Sequence, residues 1–407
     1  MIVEVSGRKL KEKAKAFWWT MEPSALSPFN PSLELSDIVV YDSTLRDGEQ
    51  MPGVAFNLEQ KVAIATLLDE IRVPQIEAGF PAVSENEFDS IREITSLGLN
   101  AEILALSRLV KKDIDATVES GVDMALLFIA TSDIHLKYKL KKPRECIVQM
   151  AVDAIEYCKE RGIRASLSSE DSSRTDLDFL VELFKACEEA GAERLGLTDT
   201  VGCASPEAIT TIVSKVVNEV STPVSLHLHN DFGLALANAI AGVKSGAKAI
   251  TTTVNGVGER GGNVPLEQFV VSMKYLYGSD MGMDTTRLKE LSDMVANFTG
   301  NPMPRNQPLV GENAFAHESG IHVAAVLNCP FTYESIPPEA VGNRRQLRMG
   351  KHSGITYIKK RIEELGYKTS EEHICEILLR VKIRGEENGI VDDNEFRRIV
   401  EKVLSSD

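Results

Sequence analysis

Eight short apolar segments alternate with eight amphipathic helical stretches across residues 38–277, and this rhythm predicts a closed parallel (β/α)8 TIM barrel followed by a small, mainly helical C-terminal region. The strand-like runs fall at 38–42, 75–79, 101–106, 123–130, 163–168, 193–198, 224–229 and 249–254. Helical periodicity fills 57–71, 84–96, 111–120, 143–161, 175–190, 205–219, 232–246 and 264–277. Eight units in about 240 residues match the count and size of a closed barrel, and a doubly wound open sheet accommodates so many repeats less well.

The flanks follow different patterns. Residues 1–35 form an N-terminal extension with a Lys-rich amphipathic start, the pair Trp18-Trp19, and Pro23, Pro28 and Pro31; packing of the tryptophans on the body is expected before membrane contact. The catalytic barrel is placed at 36–280 and a linker at 281–309, where Asn301-Pro302-Met303-Pro304 blocks both helix and central strand. Residues 310–407 are C-terminal subdomains, too small to be a secure core alone and expected to dock on a barrel; the family resemblance described below implies their use as an active-site lid and in dimerisation.

Composition excludes several classes of partner. With 26% charged residues, 43% hydrophobic residues and a net charge of −15, the 407-residue chain lacks the basic face that nucleic acid or an anionic membrane recruits. Any anionic substrate must therefore meet a local positive site. No apolar run reaches a membrane span, and no signal-peptide pattern opens the chain. Cysteines 146, 158, 187, 203, 329 and 375 form no C-x-x-C pair, which fits reduced thiols and a cytoplasmic location.

Chemistry gathers at the strand ends, where a parallel barrel carries its function. Strand one, Val39-Val40-Tyr41, runs into Arg46-Asp47-Gly48-Glu49-Gln50; acids at a helix start are the structural alternative. In His227-Leu228-His229 the period-two pattern sends both imidazoles to one face, where they suit a divalent cation. Asp47 would close a 2-His-1-carboxylate set, because strands one and seven both flank strand eight. Gly256-Val257-Gly258-Glu259-Arg260-Gly261-Gly262-Asn263 matches G-x-G-x-x-G, yet it follows the last strand instead of the first. It is read as flexible backbone beside the metal, with Asn263 as a further ligand or a group bonded to one. Glu170 ends strand five in Ser168-Ser169-Glu170-Asp171, and Thr198-Asp199-Thr200 ends strand six; each alone could be a helix cap.

Together, Tyr41 to Gln50, His227-x-His229-Asn230-Asp231, Gly258-Glu259-Arg260-x-Gly262-Asn263 and Ser319-Gly320-Ile321-His322 resemble the 2-isopropylmalate, homocitrate and citramalate synthase family, from about Ser27 to Ser353. The resemblance implies a metal-dependent barrel enzyme that condenses acetyl-CoA with a 2-oxo acid. It implies one divalent ion (zinc, manganese or magnesium) on Asp47, His227 and His229, with Asn263 beside it, and Arg46 facing the 2-oxo oxygen and the enolate. Thr200 is implied on the acceptor carboxylate, with Gln50 and Ser168 completing the substrate contacts. Glu170, His322 and Tyr333 are implied in proton transfer or substrate activation, the last two within an interlocked homodimer. His322, tuned by Glu318 or Glu170, is the first choice of base.

The acceptor is less legible. Homocitrate synthases of lysine biosynthesis carry an arginine where this chain has Ser166, and Leu106 is likewise apolar. The short C-terminal region and Ala25 to Pro31 resemble archaeal homocitrate synthases that extend 2-oxo diacids for coenzyme B, the preferred reading over 2-isopropylmalate synthase and then citramalate synthase. Lys137, Lys139, Lys141 and Lys142 are candidates for CoA phosphates or a second carboxylate, solvated lysines being the commoner case. A CoA-ester lyase is disfavoured because residues 256–263 hold no cysteine; a non-catalytic scaffold is the remaining alternative.

Overall fold

In the computed structural model, residues 26–33, 35 and 37–405 are described, so the basic start and Trp18-Trp19 lie outside them. The chain divides into two units, Asn30–Met303 and a second that gathers Pro304 onward with residues up to Phe29. In the first, strands β1 (Val39–Asp42), β2 (Gln75–Gly79), β3 (Glu102–Arg108), β4 (Met124–Ala130), β5 (Arg164–Glu170), β6 (Arg194–Asp199), β7 (Val224–Leu228) and β8 (Ala249–Thr252) pair in sequence order and close into a barrel. Closure is parallel, with Val39 opposite Ala249 and Asp42 opposite Thr252.

Continuous apolar runs such as the Met-Ala-Leu-Leu-Phe-Ile-Ala of β4 can be buried on both faces, as a parallel barrel wall requires. Alternate residues point inward, and Tyr41, Leu104, Met124, Leu126 and Ala249 fill the lumen. Helices α1 (Leu58–Glu70), α2 (Glu85–Ser96), α3 (Lys111–Glu119), α4 (Arg144–Glu160), α5 (Leu177–Ala190), α6 (Pro206–Val217), α7 (Ala235–Lys244) and α8 (Leu266–Leu276) cover the outside. Local chemistry sets their starts. Asn57 and Gln60 form a reciprocal capping box on α1, while Ser84, Asp176 and Ser205 cap α2, α5 and α6.

Three features depart from the periodicity by more than two residues. α7 begins at Ala235, not residue 232, because Gly233 adopts a left-handed φ of 73° and the Asn230 side chain accepts the Ala235 N–H. Within the segment read as linker, Leu288–Thr299 is a ninth helix, α9, with Leu288, Leu291 and Val295 buried. Apolar residues at helical spacing outweighed the nearby prolines, which begin only at Pro302. Between β4 and α4, residues 133–140 form a short helical turn and a π-helical turn, Leu136–Leu140, ended by Lys141 at φ 54°.

The second unit has its own core. Helices α10 (Gly320–Asn328), α11 (Ile355–Glu364), α12 (Glu371–Asn388) and α13 (Asp393–Leu404) bury Val323, Ile358, Ile377, Val381, Phe396 and Val400. Among the described residues, no helix is long and apolar enough to cross a membrane.

At the end of β1, Asp42 is fully buried and accepts the Thr44 N–H at 2.9 Å, with Thr252 Oγ1 at 3.3 Å. Burial pushes its carboxyl up to about 7, from an ordinary 3.8. The folded state then holds a proton that the unfolded state releases, so this contribution is complete below the unfolded value and is lost as pH rises toward 7. Asp42→Asn should flatten that loss by up to about 1.4 kcal/mol per pH unit between the two values. Urea unfolding of both proteins across that range checks it; parallel pH profiles would contradict the assignment.

Candidate active site

At the C-terminal end of the barrel, Asp47, His227 and His229 present ligand atoms that all lie within 4.8 Å of one another. Asp47 stands in the tight loop after β1, held by its own N–H on Ser43 Oγ at 3.3 Å. The His227 and His229 Nε2 atoms are 3.3 Å apart, and His227 Nε2 is 3.4 Å from Asp47 Oδ2. β7 ends at Leu228, but His229 continues into a backbone bridge with Asn263, which ties it to the loop after β8.

The donor set fits a divalent cation. Burial, then the neighbouring His227, depresses His229 to about 4, leaving a neutral ring whose nitrogen lone pair is available. Burial opposes charge on Asp47, yet the Arg46 guanidinium and His227 hold its carboxyl well below the usual carboxylate range. Asn263 Nδ2 donates to Asp47 Oδ1 at 2.8 Å and to the Val257 carbonyl at 3.1 Å, while its Oδ1 is buried without a partner. Such a constellation of two imidazoles, a carboxylate and an orphaned amide oxygen suits a metal with open positions.

The glycine loop supplies close approach. Gly258 has φ 151°, and a Cβ there would collide with Asn263 Nδ2 and stand 2.7 Å from Asp47 Oδ1. Arg260 reaches back to Asp231 at 2.8 Å and to the Thr200 carbonyl at 2.5 Å.

Arg46 is oriented by a residue the sequence reading missed. Glu77, inside β2 and fully buried, accepts Arg46 Nε at 2.7 Å, Arg46 Nη2 at 3.1 Å and Ser43 Oγ at 2.5 Å. Arg46 Nη1 meets Asp47 Oδ2 at 2.7 Å. An acid between Ile76 and Ala78 at the centre of a strand was the available signal, since a buried charge needs a partner. Lys61 was missed as well. Only 2% exposed, it bridges Glu49 at 2.7 Å and Glu87, whose carboxylates also accept the Phe56 and Phe80 N–H groups. Thus Lys61 staples the loop after β1 to the first turn of α2.

A cavity of about 300 Å³ opens over these groups and is lined by Arg46, Asp47, Gln50, Ser168, Glu170, Thr200, His227 and His229. Its wall includes Phe80, Leu106, Leu126 and Phe128. Thr200 Oγ1 accepts the Asp171 N–H at 2.8 Å, and Glu170 is paired with Lys139 at 2.6 Å. His322 and Tyr333 belong to the second unit, where their rings stack at 4.0 Å between centroids. Glu318 in that unit accepts the His352 N–H at 3.1 Å.

Residues 37–295 match the HMGL-like domain, and residues 309–388 match the homocitrate synthase post-HMGL domain-like region. The chain belongs to the HMGL-like family. Among curated relatives of this family member, homocitrate synthase AksA of Methanopyrus kandleri is 49% identical over 370 residues, covering 91% of this chain and 93% of that protein. The 2-isopropylmalate synthase of Methanocaldococcus jannaschii is 46% identical over 371 residues, covering 90% of this chain and 72% of that one. Of solved structures, the HMG-CoA lyase of Bacillus subtilis superposes with a TM-score of 0.60 at 19% identity, over 67% of this chain and 97% of the lyase; that likeness is one of fold. The synthase-family resemblance carried by the motifs is thereby borne out.

For this HMGL-like protein, His227→Ala and Asp47→Ala should each lose the stabilisation that a divalent ion confers. If the ion is held there, Mn2+ or Zn2+ at about 100 times its dissociation constant should stabilise the wild type by about 2.7 kcal/mol. Thermal melts with and without ion check this, and an undiminished shift in both variants would move the metal elsewhere.

Proposed function

We propose that the protein is an acyltransferase that condenses acetyl-CoA with a 2-oxo acid and releases CoA, the acceptor being 2-oxoglutarate or a longer 2-oxo diacid. The observation carrying this reading is the convergence of Asp47, His227 and His229 in one cavity with Arg46 beside them. Relatives named homocitrate synthase and covered nearly end to end support the diacid.

A divalent cation on Asp47, His227 and His229 would supply Lewis-acid polarisation of the acceptor's keto group. Arg46, fixed by Glu77, adds a permanent planar cation where negative oxygen develops. Thr200, Ser168 and Gln50 offer hydroxyl and amide donors to the acceptor carboxylate. His322 takes a methyl proton from acetyl-CoA, and the electron pair of that C–H bond passes into the enolate. The enolate carbon then attacks the keto carbon, whose C=O π pair passes to oxygen; that oxygen takes up the proton His322 removed, with Glu170 and Tyr333 as the relay, which returns His322 to its starting form. Water finally cleaves the thioester, giving the carboxylate and free CoA. The working unit is a homodimer with interlocked C-terminal regions.

A second acceptor has a specific observation in its favour. The apolar wall of Phe80, Leu106, Leu126 and Phe128 suits a branched aliphatic 2-oxo acid, and one relative is named 2-isopropylmalate synthase. CoA release from acetyl-CoA with pyruvate, 2-oxoisovalerate or 2-oxoglutarate, with and without chelator, separates these readings. 2-Oxoglutarate should give the highest kcat/KM, and chelation should remove the rate; absence of turnover with every acceptor would refute the condensation. His322→Ala should cut kcat by about 100-fold or more while 2-oxo acid binding persists, and a normal rate would remove His322 from proton transfer.

A further inference from the structure

We infer that Lys139 selects the acceptor by pairing with its second carboxylate, an inference that rests on the condensation reading and deepens it. Three cations line the cavity: Arg46, Arg260 and Lys139. The first is committed to Glu77 and Asp47, and the second to Asp231 and the Thr200 carbonyl. Arg46 and Arg260 follow β1 and β8, which are neighbours in the barrel. Lys139 follows β4, on the far side of an eight-strand ring.

An acceptor whose 2-oxo acid head lies beside Asp47, His227 and His229 can therefore extend its chain across the mouth toward β4 and β5. The wall it crosses there is Leu106, Leu126, Phe128 and Ser168, which offers methylene groups good packing and no charge. On β5, Ser166 is 1% exposed and sits one inward position below Ser168, so that strand offers no cation of its own above its first residue. A carboxylate carried to that side without a counter-ion would be costly to desolvate.

Lys139 is built to meet it. Its ammonium donates to Glu170 Oε1 at 2.6 Å and Oε2 at 2.7 Å, so two of three N–H groups serve one carboxylate. The side chain is half exposed, and the pair faces the cavity. The π-helical turn that carries it is anchored by buried Leu136 and closed by Lys141 in the left-handed region. A second carboxylate can join the ammonium through its remaining N–H or displace Glu170, which keeps His135 Nδ1 3.4 Å from its Oε1. Neither event needs a change in the metal ligands.

Calorimetric titration of metal-loaded wild type, Lys139→Met and Lys139→Arg with 2-oxoglutarate and with 2-oxoisovalerate tests this, alongside KM for acetyl-CoA. Removing a charge-assisted bond should weaken 2-oxoglutarate about tenfold to 100-fold in Lys139→Met. Lys139→Arg should recover most of that, and 2-oxoisovalerate should stay within about threefold across the series, having no second carboxylate to lose. Equal weakening of both acids would make Lys139 a positioning residue for Glu170, and a rise in KM for acetyl-CoA alone would make it a CoA contact; either overturns the inference. Tighter wild-type binding of 2-oxoisovalerate than of 2-oxoglutarate would instead remove the diacid acceptor itself.

Discussion

Barrel closure is the constraint on which the rest of this molecule depends. β1 pairs with both β2 and β8, and β8 pairs with β7, so the carboxylate of Asp47 and the imidazoles of His227 and His229 are brought within 4.8 Å of one another. The chain between them spans five further strands, β2 to β6. Apart from the two histidines none of the three candidates is near another in sequence; the hydrogen-bonded ring brings them together, and Asn263 ties Asp47 to His229. That ring also orders the mouth, with the metal candidates and Arg46 on one arc and the apolar wall, Glu170 and Lys139 on the other.

Polar order beneath the site is bought by pairing. Glu77 has no exposure to water, and three donors from Ser43 and Arg46 surround it. A buried acid of this kind gives little net stability, but removing its partner would strand a charge in the wall of the barrel. Its value is geometric, since it fixes the guanidinium plane relative to Asp47.

The fold was legible because short apolar runs and amphipathic stretches of period 3.6 alternate eight times, and each strand was found at its place to within a few residues. The metal candidates were legible for a related reason: His227 and His229 are two apart on a strand, which sends both to one face. Glu77 and Lys61 were harder to see, because each acts through a partner 26 or more residues away that periodicity cannot name. α9 was overlooked where Pro302 and Pro304 drew attention from Leu288, Leu291 and Val295. The roles of His322 and Tyr333 rest on motif resemblance, and within their own unit the two rings keep each other's company.

The Glu49, Lys61 and Glu87 staple has one more consequence. Because a single ammonium grips one carboxylate from the loop after β1 and one from the first turn of α2, the segments bearing Arg46 and following Glu77 are tied directly to each other and not only through the strands. Anyone reshaping this mouth for a different keto acid would thus find the β4 and β5 side far more forgiving than the β1 and β2 side, where tolerance to motion has been removed from below.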